Sequence, residues 1–305
     1  MQERWRLAIS GQGVDDRSSI GVLGARGLVG ACAIPLLIRD GRQVFAFSRS
    51  SEPRAAQAGV TWISLSSPPS GTHGKFRIKT WLSFLPIWIL PQYFSMIEAS
   101  GGSRVVALSS TSVFVKDDSS DPGEQDIARR LVEGEHALRV WAESRGVEWV
   151  ILRPTLIYGL GRDKNVSEIV RFVRRFGFFP LLGGAMGLRQ PIHVKDVAGA
   201  CLAALNSPAA TSRAYNISGG EVLAYREMVY RLFVALGRQP RLVAVPLWMF
   251  RAAVAVLRLA PRYRHWTVEM AERMNRDLVF DHAEAARDFG FSPRPFVLLP
   301  EDLPA

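Results

Sequence analysis

Ile20-Gly-Val-Leu-Gly-Ala-Arg-Gly-Leu-Val-Gly30 decides how this chain is read. Ile20 to Leu23 have the pattern of a short apolar strand, and Leu28 to Arg39 that of a helix. Gly24, Gly27 and Gly30 lie between and into them with the spacing G-x-x-G-x-x-G. A helix N-terminus presents unpaired N–H groups and the positive end of the peptide dipoles to an anion. Glycine removes the Cβ atoms that would hold a pyrophosphate away, and it lets the turn tighten. A glycine triplet alone is a weak signal. Placed between a strand and a helix it points to a nucleotide cofactor rather than to a merely structural turn. The residues expected around the phosphates are Gly24, Arg26, Gly27, Leu28, Val29 and Gly30.

Outward from this stretch, strand and helix patterns alternate. Gln43–Ser48, Thr61–Leu65, Trp81–Leu85, Arg104–Ser109 and Trp149–Leu152 read as further strands, the last closed by Arg153-Pro154. Ser66–Gly74 is rich in Ser, Pro and Gly and reads as a loop. Helices are expected near Trp88–Ala99 and over about Asp126–Ser144. Apolar strands alternating with helices predict an α/β fold with a doubly wound parallel sheet. After Tyr158-Gly159 helices alternate with short Gly/Pro-rich segments, which predicts a smaller, mainly helical C-terminal lobe. The expected organisation is an N-terminal extension (1–18), a dinucleotide-binding core (19–159) and a substrate lobe (160–305) with strands free to return to the core.

Composition narrows the class. The chain has 305 residues, 48% hydrophobic and 22% charged, as in ordinary globular proteins. The net charge is +10, but only five of the 38 basic residues are lysine and the arginines are scattered. No basic run with interleaved aromatics occurs, so no nucleic-acid partner is expected. One segment is less even. Met228 to Thr267 holds seven arginines and no acidic residue, which leaves room for contact with a protein or a membrane surface. Leu242–Ala260 reads as an amphipathic helix rather than a span, because Pro246, Arg251 and Arg258 interrupt it. Met1 to Arg17 contain no apolar signal segment. A cytoplasmic protein is expected, with the inner membrane face as the alternative setting. The two cysteines, Cys32 and Cys201, read as free thiols, and no metal site is expected.

Four ordered segments resemble the extended short-chain dehydrogenases/reductases of the NAD-dependent epimerase/dehydratase kind. They are Gly24-Ala-Arg-Gly27-Leu-Val-Gly30, Val105-Val-Ala-Leu-Ser109-Ser110-Thr-Ser-Val-Phe114, Ile151-Leu-Arg-Pro154-Thr-Leu-Ile-Tyr158-Gly159 and Pro191-Ile-His193-Val-Lys-Asp196-Val-Ala, the last followed by Tyr215-Asn216-Ile-Ser-Gly-Gly220. Asp281 with Phe289-Gly-Phe-Ser-Pro293 resembles the family's closing segment. The resemblance implies a Rossmann-type core. It places Ser109 and Ser110 beside the nicotinamide ribose, and Pro154 to Leu156 along the nicotinamide. It further implies a small-molecule substrate, such as a nucleotide sugar, under the smaller lobe, with Arg162, Arg189 and His193 as candidates to meet its diphosphate.

Cofactor choice turns on the end of the second strand. An NAD site places a carboxylate there for the ribose hydroxyls. This chain has Phe47-Ser48-Arg49-Ser50, and an arginine among hydroxyls suits a 2′-phosphate. NADP(H) is therefore expected ahead of NAD(H).

The chain departs from the family at its proton relay. The resemblance implies a Tyr and a Lys one helical turn apart on the long helix; the matching positions are Ile127 and Leu131. No tyrosine lies between Tyr93 and Tyr158, and the only lysine there is Lys116, so no shift of register restores the pair. Ile127, Leu131, Leu138 and Trp141 instead continue an apolar stripe, which predicts a packed face. The remaining catalytic candidates are Ser110 and Tyr158, with His193 the other nearby titratable group. The chain thus resembles the atypical branch of the family. Its members include reductases and epimerases with other acids, dinucleotide-binding regulators, and an NADPH-binding accessory subunit of respiratory complex I. An oxidoreductase with a non-standard donor and a catalytically silent NADP(H)-binding subunit both follow from it.

Overall fold

In a computed structural model the described residues are 19–49, 57–65, 76–115, 122–246, 248–249 and 273–304. Seven parallel strands form the central sheet: β1 (Ser19–Leu23), β2 (Gln43–Ser48), β3 (Val60–Ser64), β4 (Thr80–Ser83), β5 (Arg104–Leu108), β6 (Glu148–Pro154) and β11 (Arg213–Ile217). Their order is β11-β6-β5-β4-β1-β2-β3. The chain leaves β1 toward one edge and resumes beside it at β4. This order reversal opens a crevice beyond the carboxyl ends of β1 and β4, where α/β proteins hold their ligands.

Both faces of the sheet are covered, which is why its central strands read as nearly unbroken apolar runs. On one face lie α1 (Leu28–Arg39), α5 (Val194–Asn206) and α7 (Ala283–Phe289). Ala33 and Leu37 of α1 and Ala198 and Cys201 of α5 share a core with Val22 and Val106. On the other face lie α2 (Phe94–Ala99) and α3 (Pro122–Arg145), where Leu131 and Leu138 pack with Trp81, Ile87 and Ile151. Thus α5, β11 and α7, all from beyond residue 159, share the core of the central sheet. The smaller lobe has a core of its own. It joins α4 (Val166–Phe176) and α6 (Tyr225–Ala235) to two short strand pairs: β8 (Phe179–Leu182) with β13 (Leu242–Val245), and β9 (Leu188–Arg189) with β12 (Leu223–Ala224). Between lobe and sheet, β7 (Ile157–Tyr158) pairs with β10 (Ile192–His193). Among the described residues no helix is long and apolar enough to cross a membrane.

The expected fold class holds, and several details change. β3 and β4 begin and end one or two residues earlier than read. The helix expected over Trp88–Ala99 is a 3-10 turn (Ile87–Tyr93) followed by α2, because Pro91 cannot donate to a continuous α-helix. β6 runs on through Arg153 to Pro154, and Pro154 ends it. The amphipathic helix expected from Leu242 is a strand over its first four residues, β13; residues 250–260 lie outside the described part. The stripe on α3 is also displaced. Its buried line runs through Ala128, Leu131, Glu135, Leu138 and Ala142, so Ile127 falls on the margin and is 37% exposed. Trp141 lies on the same margin, half-buried and stacked on Phe94 at 4.1 Å.

Candidate cofactor site

Gly24 takes φ +73°, a left-handed conformation that a Cβ would strain. Gly27 follows as the residue capping α1; its side-chain position is bare, and the first turn carries no acidic residue. A Cβ on Gly30 would lie 2.6 Å from the Ala25 carbonyl oxygen, so only glycine lets the helix sit this close to the turn. The start of α1 therefore points at the crevice with no side chain competing for its N–H groups. By contrast, α5 is capped from within: the His193 Nδ1 accepts from the Lys195 N–H at 3.1 Å.

The turn opens into a cleft of about 540 Å³, lined by Gly24, Arg26 and Gly27 on one side and by Phe47, Ser48 and Arg49 at the end of β2. Leu65, Phe84, Leu85 and Tyr93 complete it. None of these residues is a carboxylate. The Arg26 guanidinium sits over the Trp62 ring at 5.5 Å, and Arg49 is exposed at the rim. Ser50 lies outside the described residues. Leu28 and Val29 follow the turn in α1, Val29 buried and Leu28 half-buried against the core. Sequence reasoning missed Leu65, Phe84, Leu85, Tyr93 and Trp62. A signal existed for Phe84 and Leu85, since residues directly beyond a central parallel strand line the crevice. Tyr93 and Trp62 arrive from a 3-10 turn and an outer strand that no motif marks.

At the ends of β5 and β6 the structure builds something different. The Ser109 hydroxyl donates to Glu135 Oε1 at 2.6 Å. Arg153 grips the same carboxylate with two bonds, Nε to Oε1 at 2.9 Å and Nη2 to Oε2 at 2.5 Å. The Glu135 side chain is almost fully buried and Arg153 nearly so. Phe114 covers the guanidinium at 5.0 Å, and Phe280 stacks on Phe114. Ser110 caps the short 3-10 turn Thr111–Phe114, its hydroxyl accepting from the Ser112 N–H at 3.1 Å. Leu131 is buried in the core under α3. Pro154 is buried at the end of β6, and Leu156 is half-buried against the core of the smaller lobe. Neither Ser109–Glu135–Arg153 nor its aromatic cover was anticipated as a unit. Only Ser109 had been singled out.

Two catalytic candidates from the sequence do not suit the role. Tyr158 is fully buried, lies edge-on to His193 and Phe296, and donates to the Val297 carbonyl at 3.2 Å. Burial pushes its phenol up to about 12. It has neither access nor the acidity for proton transfer near neutral pH. His193 is buried as well. With Nδ1 accepting from Lys195, its Nε2 carries the proton and donates to Asp302 Oδ1 at 3.0 Å. Burial raises the Asp302 carboxyl. His193 and the N–H groups of Leu160 and Leu299 outweigh that effect and hold it below its ordinary range.

The three substrate candidates are not brought together. His193 belongs to the Asp302 knot just described. Arg189 is buried and donates to the carbonyls of Leu188 and Arg276, both at 2.7 Å, and to that of Arg273. Its guanidinium lies over the Tyr225 ring, and desolvation lowers it to about 10. It works as a strap between β9 and the segment from Arg273 to Arg276. Arg162 is exposed. Of the cysteines, Cys201 is buried and Cys32 partly so, and both are free. Among the described residues no group of His, Cys, Asp or Glu could hold a metal ion.

Residues 92–218 match the model of the NAD dependent epimerase/dehydratase family. A UDP-glucose 4-epimerase of Vibrio cholerae is 26% identical over 159 residues, which is 52% of this chain and 47% of the epimerase. A mitochondrial NADH dehydrogenase 1 alpha subcomplex subunit 9 of Arabidopsis thaliana is 31% identical over 109 residues, covering 35% of this chain and 27% of that subunit. The chain thus spans about half or less of the length of these curated relatives. Among solved structures, the UDP-glucuronic acid 4-epimerase of Bacillus cereus in complex with NAD superposes with a TM-score of 0.68. That match covers 93% of each chain at 15% identity, a likeness of fold. An epimerase-like fold and the glycine turn thus occur together in this chain.

Proposed function

We propose that this protein binds NADP(H) in the cleft at the end of β1 and β2, and that it holds the dinucleotide without the family's usual proton relay. The observation that carries this reading is the pairing of an uncapped, glycine-lined helix start with a β2 end bearing Ser48 and Arg49 and no carboxylate. Gly24, Gly27 and Gly30 would admit the pyrophosphate, and Arg49 with Arg26 would meet the 2′-phosphate. Ser109, Ser110, Pro154 and Leu156 would border the nicotinamide half. When bound, the cofactor supplies or accepts a hydride. The buried positions of Tyr158 and His193 favour a binding or regulatory role over turnover. The partial likeness to a subunit of a respiratory assembly agrees with that.

The second reading is an oxidoreductase acting on a small molecule of the nucleotide-sugar class. It is favoured by the contact of Ser109 with Glu135, a hydroxyl held by a buried carboxylate beside the expected nicotinamide position. A titration with NADPH and NADH, followed by fluorescence and thermal shift, tests the first reading. NADPH should bind more tightly, and Arg49→Glu should weaken it by about 10- to 100-fold, the worth of one charge-assisted contact. Tighter binding of NADH would overturn the cofactor assignment. Appearance of NADPH absorbance on mixing NADP+ with UDP-glucose or UDP-glucuronic acid would establish the second reading over the first.

A further inference from the structure

One end of the smaller lobe combines exposed apolar side chains with arginines that, among the described residues, no carboxylate pairs with. α4 ends in Arg174, Arg175 and Phe176, turns at Gly177 with φ +76°, and leads through Phe178 into β8. Phe176 is 42% exposed and Phe178 lies beside it at 6.5 Å. The Arg175 guanidinium covers the Phe176 ring at 5.5 Å. Arg238, at the end of α6, is drawn to the same place and donates to the carbonyls of Val173 at 2.9 Å and Arg174 at 3.2 Å. Arg241 adjoins Phe178, because its carbonyl accepts from the Phe179 N–H at 2.9 Å. β13 then carries Val243 alongside Pro180, with Val243 46% exposed.

Arg174, Arg175, Arg238 and Arg241 are all exposed, and among the described residues none of them is paired with Asp or Glu. Two other arginines of the lobe are neutralised: Arg171 by Glu168, and Arg231 by Glu221 and Glu227. Large aromatic and aliphatic side chains beside unneutralised arginines are complementary to a lipid headgroup layer. The arginines meet phosphates, and the aromatics sit at the boundary with the acyl chains. A nucleic acid would match the arginines but not the aliphatic Val243, and it would leave Phe176 and Phe178 useful only as stacking faces.

We infer that this end of the lobe, built on the α4–β8 turn and β13, docks on an anionic phospholipid surface. The inference is independent of the cofactor reading, since the surface lies on the lobe and shares no residue with the glycine cleft. The test is sedimentation of the full chain with vesicles of phosphatidylcholine alone, or of phosphatidylcholine mixed with phosphatidylglycerol, at low and high salt. The expected result is binding to the mixed vesicles only, weakened by salt. Arg175→Glu combined with Arg241→Glu should lower the affinity by at least about thirtyfold, since each basic residue near such a surface contributes about fivefold. Phe176→Ser should lower it several-fold at both salt concentrations. If the double variant unfolds early, Arg175→Gln with Arg241→Gln replaces it. Equal sedimentation with both vesicles, no sedimentation, full binding by the double variant, or binding to a structured RNA in place of the mixed vesicles would each overturn the inference.

Discussion

The two halves of the crevice have been treated differently. At the end of β1 and β2 the chain keeps space open: glycines at 24, 27 and 30, an uncapped helix start, and arginines at the rim. At the end of β5 and β6 it consumes its polar groups internally. Ser109 and Arg153 are spent on Glu135, Ser110 on a turn, and the helix face beyond them carries Leu131 in the core. A site that must bind a ligand leaves donors unsatisfied by the protein, whereas a packed region satisfies them all. By that standard the β1–β2 half is built for a ligand and the β5–β6 half for stability.

The largest effect expected tests the second half of this contrast. Glu135→Ala removes the partner of a mostly buried arginine and leaves its charge uncompensated. It should cost about 3–5 kcal/mol of stability in chemical denaturation. Affinity for NADPH of the fraction that remains folded should change little. Should the variant instead be as stable as the parent but lose turnover on a nucleotide sugar, Glu135 belongs to a working relay and the contrast fails.

His193 and Asp302 extend the comparison into the lobe. Asp302 accepts from His193, Leu160 and Leu299, each at 3.0 Å. Asp302→Ala should therefore cost about 2–4 kcal/mol near neutral pH. Its carboxyl is held below the unfolded value, so the stabilisation is complete above that value and is lost as pH falls through the folded one. The gap in stability between parent and variant should stay constant down to about pH 5 and shrink below about pH 4. A gap that instead stays constant below about pH 4 would show that Asp302 is not held below its unfolded value.

The sequence reading reached the first half of the crevice and not the second, for a physical reason. Gly24, Gly27 and Gly30 report on backbone, and backbone constraints are local: a strand, a turn and a helix within eleven residues specify them. The alternation of strands and helices is local in the same sense, and the parallel sheet follows from it. Ser109, Glu135 and Arg153 meet through β5, α3 and β6, and nothing in the spacing of a serine and a glutamate 26 residues apart foretells a contact of 2.6 Å. Tyr158, His193 and Arg189 looked reactive by residue type. Only the fold reveals that Val297, Asp302 and the carbonyls of residues 188, 273 and 276 have already claimed them. The helical stripe misplaced Ile127 because it marked an apolar line without its centre.

Within the open half, Gly30→Ala sharpens the comparison. Its Cβ would press on the Ala25 carbonyl at 2.6 Å, and backbone yields less readily than a side-chain tip. About 1–3 kcal/mol of overpacking is expected, with NADPH affinity falling alongside stability, since the same turn serves both. Dinucleotide binding unchanged in a fully stable Gly30→Ala would show that the close approach of α1 is not what shapes the site.

The smallest effect separates the two relay positions from each other. Ile127 is on the margin of α3 and partly exposed, so Ile127→Tyr has space and should alter stability by no more than about 0.5 kcal/mol. Leu131 is 3% exposed within the core, so Leu131→Lys would bury an ammonium whose nearest carboxylate along the helix, Glu135, is already held by Ser109 and Arg153, and it should be poorly tolerated. The comparison therefore predicts an asymmetric rescue. The tyrosine position can be rebuilt by a single substitution, and the lysine position cannot be rebuilt without repacking Trp81 and Ile87 beneath it. Thermal unfolding of the two single variants decides this. Equal tolerance of both would mean that this face of α3 is looser than its packing implies.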